Sequence, residues 1–143
     1  MDNDINSLSH TMWNCKYHIV WAPKYRRKIF YHEKREVVGK IIRELCEQKP
    51  GVKLIAGEVC ADHIHILISI PPKYSVGYIV GYVKGKSALK IHDRWSELRY
   101  KKRGREFWCR GYYVDSSGKD PRKIELYIKK QLTKDARLPF GRE

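Results

Sequence analysis

The run Asp62-His63-Ile64-His65-Ile66-Leu67-Ile68 sets two imidazoles two residues apart inside an apolar, β-branched stretch. A strand sends residues i and i+2 to one face. The run therefore predicts His63 and His65 side by side, with Ile64, Ile66 and Ile68 turned the other way into a core. Two neutral imidazoles on a rigid strand are metal ligands by type. Near the other end of the chain, Tyr127 and Gln131 are four residues apart, the spacing that shares a helix face. A phenol with a pKa of about 10 is a poor nucleophile. It attacks phosphorus when its proton is removed or its charge is offset, and a nearby cation helps with both. The Gln131 amide oxygen is a third, hard donor beside two imidazoles. Taken singly, each motif also describes an ordinary surface: a strand face that carries two histidines, or an exposed helix with an incidental Tyr and Gln.

The elements that must position these groups are legible from periodicity. Asn14 to Trp21 alternates, with Cys15, Tyr17, Ile19 and Trp21 on one face, and predicts a first strand that Pro23 ends. Glu33 to Gln48 has helical spacing through Val37, Val38, Ile41, Ile42 and Leu45. After a Pro50-Gly51 turn, Val52 to Val59 predicts a second strand. A short turn at Ala61-Asp62 leads into the histidine strand, which stops at Pro71-Pro72. Ser75 to Leu98 predicts a long helix. Its Gly77, Gly81 and Gly85, four apart, imply close backbone approach by the sheet or by a ligand. Glu106 to Asp115 predicts a fourth strand. Asp120-Pro121 caps a last helix carrying Ile124, Tyr127, Ile128 and Gln131 and running to about Lys134. Residues 1–12 are expected to be a loose arm. The order β-α-β-β-α-β-α begins as a split β-α-β. It predicts an α+β, ferredoxin-like domain over residues 1–143. A four-stranded antiparallel sheet carries two helices on one face, and a C-terminal helix bearing the tyrosine is appended.

Composition narrows the partner. The chain of 143 residues carries 30 Lys+Arg against 16 Asp+Glu, a formal charge of +14. That charge points to a polyanion, most commonly nucleic acid. Half of it lies between residues 84 and 110. Lys84, Lys86, Lys90, Arg94, Arg99, Lys101, Lys102, Arg103, Arg105 and Arg110 there face only Asp93, Glu97 and Glu106. A smaller basic cluster, Lys24, Arg26, Arg27 and Lys28, follows the first strand. Interleaved Tyr25, Tyr78, Tyr82, Tyr100, Tyr112 and Tyr113 suit stacking on unpaired bases, whereas Trp95 and Trp108 read as core. No apolar run approaches the roughly 20 residues that span a bilayer, and the acidic start Met1-Asp2-Asn3-Asp4 is unlike a signal peptide. Cys15, Cys46, Cys60 and Cys109 lack paired spacing, which suggests thiols in a reducing, cytoplasmic compartment.

Several residues invite and fail other readings. Gly81-Tyr-Val-Lys-Gly85-Lys86-Ser87 is one residue short of a P-loop and falls inside a helix. Cys60 with the two histidines suggests zinc, but on a regular strand residue 60 faces opposite to 63 and 65. His18 and His92 read as structural or surface residues. Asp62 suits both support of a ligand and simple turn formation.

Together, the His-Ile-His strand, the basic body and the Tyr-x-x-x-Gln helix resemble the HUH endonuclease superfamily. In size and order the chain is similar to the smallest single-tyrosine (Y1) transposases of bacterial and archaeal insertion sequences, the IS-two-hundred type. The resemblance runs through Tyr17-His18-Ile19-Val20-Trp21-Ala22-Pro23-Lys24-Tyr25-Arg26, Asp62 to His65, Ile79 to Ser87, Trp108 to Asp115, and Tyr127-Ile128-Lys129-Lys130-Gln131. It implies a DNA transposase that cuts and rejoins single-stranded DNA at insertion-sequence ends. Tyr127 would form a 5′-phosphotyrosine, and His63, His65 and Gln131 would hold one Mg²⁺ or Mn²⁺. It further implies DNA hairpins as partners, a homodimer whose active sites draw on both chains, and a prokaryotic, nucleoid-associated location. The basic segment, with Lys84, Lys86, Lys90, Arg94, Lys101, Lys102, Arg103 and Arg105, is then the candidate for phosphate contacts. The same site would serve a domesticated, repeat-associated relative that processes palindromes. A non-catalytic nucleic-acid-binding module on the same fold would need neither histidine. A two-metal carboxylate nuclease would need clustered acids, where only Asp62 and Asp115 sit near strand ends.

Overall fold

A computed structural model of the chain describes residues 6–8, 11–98, 107–116, 122 and 126–127. The chain opens with two short strands, β1 (Asn6–Leu8) and β2 (Thr11–Trp13), paired antiparallel with Leu8 opposite Thr11. The expected loose arm is thus in part a pair of antiparallel strands, for which the β-forming Thr11-Met12-Trp13 provides one. Next come β3 (Lys16–Trp21), α1 (His32–Glu47), β4 (Lys53–Cys60), β5 (His63–Ser69), α2 (Val76–Arg94) and β6 (Tyr113–Asp115). The main sheet has the order β4-β5-β3-β6, antiparallel at every pairing. This is the ferredoxin-like arrangement that the element order predicts.

The alternation of β5 decides which face is core. Ile64, Ile66 and Ile68 are almost wholly buried, together with Ile19 and Trp21 of β3. Against them pack Val38, Ile42 and Leu45 of α1 and Ile79, Val80, Val83 and Ile91 of α2. Each such side chain contributes about 1.5–3 kcal/mol on burial, which holds the pleat of β5 in one register. The two-residue connection Ala61-Asp62 is anchored from outside, because the Ala61 carbonyl accepts from both the Ile29 and Phe30 amides, at 3.0 and 3.1 Å.

Several boundaries depart from the periodic expectation. Ser75 caps α2, its Oγ accepting from the Tyr78 N–H at 3.0 Å. The helix ends at Arg94 because Trp95 leaves helical geometry (φ −133°, ψ 82°), and a short 3-10 turn spans Ser96–Leu98. The fourth strand is shorter than its sequence pattern. An isolated bridge joins Pro23 to Trp108, and regular pairing resumes only at Tyr113. Between them Gly111 takes φ +80°, a conformation that interrupts a ladder. The sheet does not approach the glycine stripe of α2 closely. Among the described residues nothing would meet a Cβ within 4 Å at Gly81 or Gly85, and at Gly77 the nearest atom is the Tyr112 hydroxyl at 3.5 Å. The 81–87 segment is helical throughout, so it forms no phosphate loop.

Candidate active site

The face of the sheet away from the helices carries the candidate residues. His63 and His65 are partly buried there, side by side on β5. Register adds neighbours on the same face. Glu58 and Val20 flank His65, Cys60 lies opposite His63, and His18 lies opposite Leu67. One strand further across, Tyr113 pairs with Val20 and Asp115 with His18.

The two imidazoles are held differently. Asp62, buried in the hairpin turn, accepts at Oδ1 from His63 Nδ1 at 2.8 Å. Its Oδ2 accepts from Arg26 Nε at 2.8 Å and lies 2.6 Å from the second guanidinium nitrogen. Burial alone would raise the Asp62 carboxyl. The hydrogen bonds from His63 and Arg26, with the Arg26 charge, bring it below its ordinary value instead. His65 Nε2 is 3.2 Å from His18 Nδ1. Beside this pair lies an open concavity of about 400 Å³, with His18, Glu58, His65 and Leu67 in its lining.

Tyr127 stands over this same face. Its ring lies 5.9 Å from that of Tyr113, whose hydroxyl donates to Asp115 Oδ2 at 3.2 Å. Arg122, Leu126 and Tyr127 are helical. Tyr113, Val20 and His65 form one row across β6, β3 and β5, so the tyrosine ring contacts the row that contains His65. Gln131, the expected third donor, lies outside the described residues.

A family model described as "Transposase IS200 like" matches residues 11–131. The chain belongs to the IS200-like transposase family. It is 59% identical, over 132 residues, to the transposase of insertion sequence element IS200 from Salmonella typhimurium, covering 92% of this chain and 86% of that one. It is 29% identical over 125 residues to the ISDra2 transposase TnpA of Deinococcus radiodurans, covering 87% and 89%. A crystal structure of a D. radiodurans transposase superposes with a TM-score of 0.81 at 28% identity, over 88% of this chain and 97% of that one. The structure of a REP-associated tyrosine transposase bound to a REP hairpin shares the fold, with a TM-score of 0.54 at 12% identity, over 94% and 80%. The protein is therefore a DNA transposase, a DNA-processing enzyme of the insertion-sequence type.

In this IS200-like transposase the basic run divides. Lys86 and Lys90 stand exposed on α2, and exposed Arg94 lies 3.9 Å from Glu33 and over the Trp95 ring. Lys84 instead turns inward, donating to the Cys109 and Gly111 carbonyls, both at 2.8 Å. Burial pushes its pKa down to about 8. Its amine ties α2 to the 109–111 segment and is committed to those carbonyls. Lys101, Lys102, Arg103 and Arg105 lie outside the described residues. No helix among the described residues is long and apolar enough to cross a membrane.

Three residues near the site read differently in three dimensions. Cys60 shares a face with His63, not the opposite one, because the two-residue turn resets the strand parity. Burial raises its thiol pKa, with Glu58 and Asp62 adding to the shift. His18 lies beside the histidine pair, its Nδ1 3.2 Å from His65 Nε2. Its signal was parity: it alternates with Tyr17 and Ile19, so it faces away from the core like His63 and His65. Arg26, which counts toward surface charge in the sequence, is spent on Asp62.

Proposed function

We propose that this transposase cuts and rejoins single-stranded DNA through Tyr127. The tyrosine oxygen attacks the scissile phosphorus as the bond to the 3′ oxygen breaks. The phenol gives up its proton and the departing 3′ oxygen gains one. The products are a 5′-phosphotyrosine and a free 3′-OH. The phosphodiester energy stays in the tyrosyl ester, so a second 3′-OH reverses the step without ATP. The observation that carries this reading is the contact of the Tyr127 ring with Tyr113 on the sheet face that bears both histidines.

His63, His65 and Gln131 are the proposed ligands of one Mg²⁺ or Mn²⁺. The described residues suit that role. Two imidazoles share a rigid strand, and His63 Nδ1 is spent on Asp62, which leaves its Nε2 lone pair for a ligand bond. With the amide oxygen of Gln131 they make a mixed N/O donor set. A bound divalent ion would offset charge on the phosphate. Hairpins flanking the cut are the proposed DNA partner, in keeping with the +14 charge and with the REP hairpin bound by the fold relative. We further propose a homodimer whose active sites draw on both chains.

The test is incubation with a labelled hairpin-bearing single strand and Mn²⁺. The expected product is a covalent protein–DNA adduct, absent in Tyr127→Phe and without the ion. Binding of such strands by wild type with no adduct under any metal would replace this reading with a non-catalytic binding role.

A further inference from the structure

A carboxylate in a two-residue hairpin turn ordinarily caps backbone amides. The Asp62 carboxylate is engaged by side chains: Oδ1 faces the imidazole of His63, and Oδ2 faces the guanidinium of Arg26. The group is nearly buried, at 7% exposure, and a buried carboxylate without partners would be costly. Arg26 reaches it from an unusual backbone. Tyr25 and Arg26 are consecutive left-handed residues, φ 60° and 52°, neither of them glycine. Each such residue costs about 1–2 kcal/mol. The turn is closed by the Arg26 N–H donating to the Pro23 carbonyl at 2.7 Å. Strain of this kind persists where the surroundings over-determine it, and it clusters at functional sites.

We propose that Arg26 and Asp62 are a positioning pair that fixes His63 as its Nδ1–H tautomer, with the Nε2 lone pair turned outward for a divalent ion. An ionised carboxylate only accepts, so Nδ1 must carry the hydrogen it shares with Oδ1. Nε2 is then the unprotonated nitrogen. Imidazole side chains in water favour the opposite tautomer, with the hydrogen on Nε2, so the arrangement is imposed by the protein. The Arg26 guanidinium, with nitrogens 2.8 and 2.6 Å from Oδ2, aims the carboxylate and through it the plane of the ring. The inference rests on the reading of His63 as a ligand, and its test separates the two.

The experiment is ¹⁵N NMR of the imidazoles in the metal-free full chain with both rings neutral, joined to Mn²⁺ titration by calorimetry. In wild type, His63 is expected to show the Nδ1–H tautomer. Asp62→Ala should return it to the Nε2–H form and weaken Mn²⁺ binding about 10–100-fold. Arg26→Ala, which keeps the turn residue itself, should broaden or mix the tautomers and weaken binding less, and Arg26→Lys should recover part of the loss. An Nε2–H tautomer in wild type, or unchanged Mn²⁺ affinity in both Asp62→Ala and Arg26→Ala, overturns the proposal. The Nδ1–H tautomer in a wild type that binds no Mn²⁺ would leave the positioning pair standing and remove His63 as a ligand.

Discussion

His63 and His65 share a strand and a face, yet opposite kinds of neighbour hold them. His63 begins the strand beside a buried carboxylate that is itself ion-paired to Arg26. His65 sits one pleat further in, between Val20 and Glu58, with its Nε2 on the imidazole of His18. A carboxylate dictates which nitrogen carries the hydrogen. A neutral imidazole does not, since either His18 Nδ1 or His65 Nε2 can be the donor. One ring's hydrogen is therefore placed by its neighbour, while the other's depends on the tautomer the two imidazoles share. The pair teaches that equivalence by spacing is not equivalence by environment.

That contrast can be broken at several strengths. Removing either ring outright should erase it. His63→Ala and His65→Ala are each expected to lower strand cleavage on the order of 10²–10³-fold, the scale of several kcal/mol of phosphate charge stabilisation, read as adduct yield per minute at fixed Mn²⁺. Full activity in one variant would show that a single imidazole suffices. Removing the support shared by both rings should not discriminate between them. Ile64→Ala, in the core behind and between them, should cost about 2–5 kcal/mol of stability by denaturant unfolding. Cleavage per folded molecule should change little at temperatures where the variant is folded.

Smaller changes sharpen the asymmetry. His18→Ala removes the contact between His18 Nδ1 and His65 Nε2 and should tighten Mn²⁺ binding by roughly 2–10-fold, the scale of one neutral hydrogen bond. Weaker binding in that variant would make His18 a support of the site and not a competitor. The smallest effect expected contrasts the compensated Asp62 with the buried Lys84. Burial lowers the Lys84 pKa to about 8 from 10.5, so between those values the unfolded chain binds more protons than the folded one. Stability from this group therefore rises as pH climbs from about 8 toward 10.5. Wild type should gain Tm relative to Lys84→Met over that range, and parallel Tm curves for the two proteins would refute the assignment.

Much of the scaffold was legible in the residues. The 2-residue period of β5 and the helical spacing of α1 and α2 report which side chains face a core, because burial selects them locally. The element order then implied the sheet order β4-β5-β3-β6. The shortness of β6 was less legible, since it depends on one left-handed glycine inside an otherwise strand-like run.

What the sequence by itself determined is the pair of histidines on one face, the isoleucines behind them, and a basic chain built on a split β-α-β. Tertiary structure alone decided who touches the imidazoles. Arg26 is 36 residues from Asp62, and His18 is 47 from His65. Cys60 changed face because a two-residue turn resets the alternation. Periodicity records whether a side chain faces core or solvent. It carries no record of cross-strand register or of a left-handed turn that bends a guanidinium onto a distant carboxylate, since those follow from how separate segments pack together.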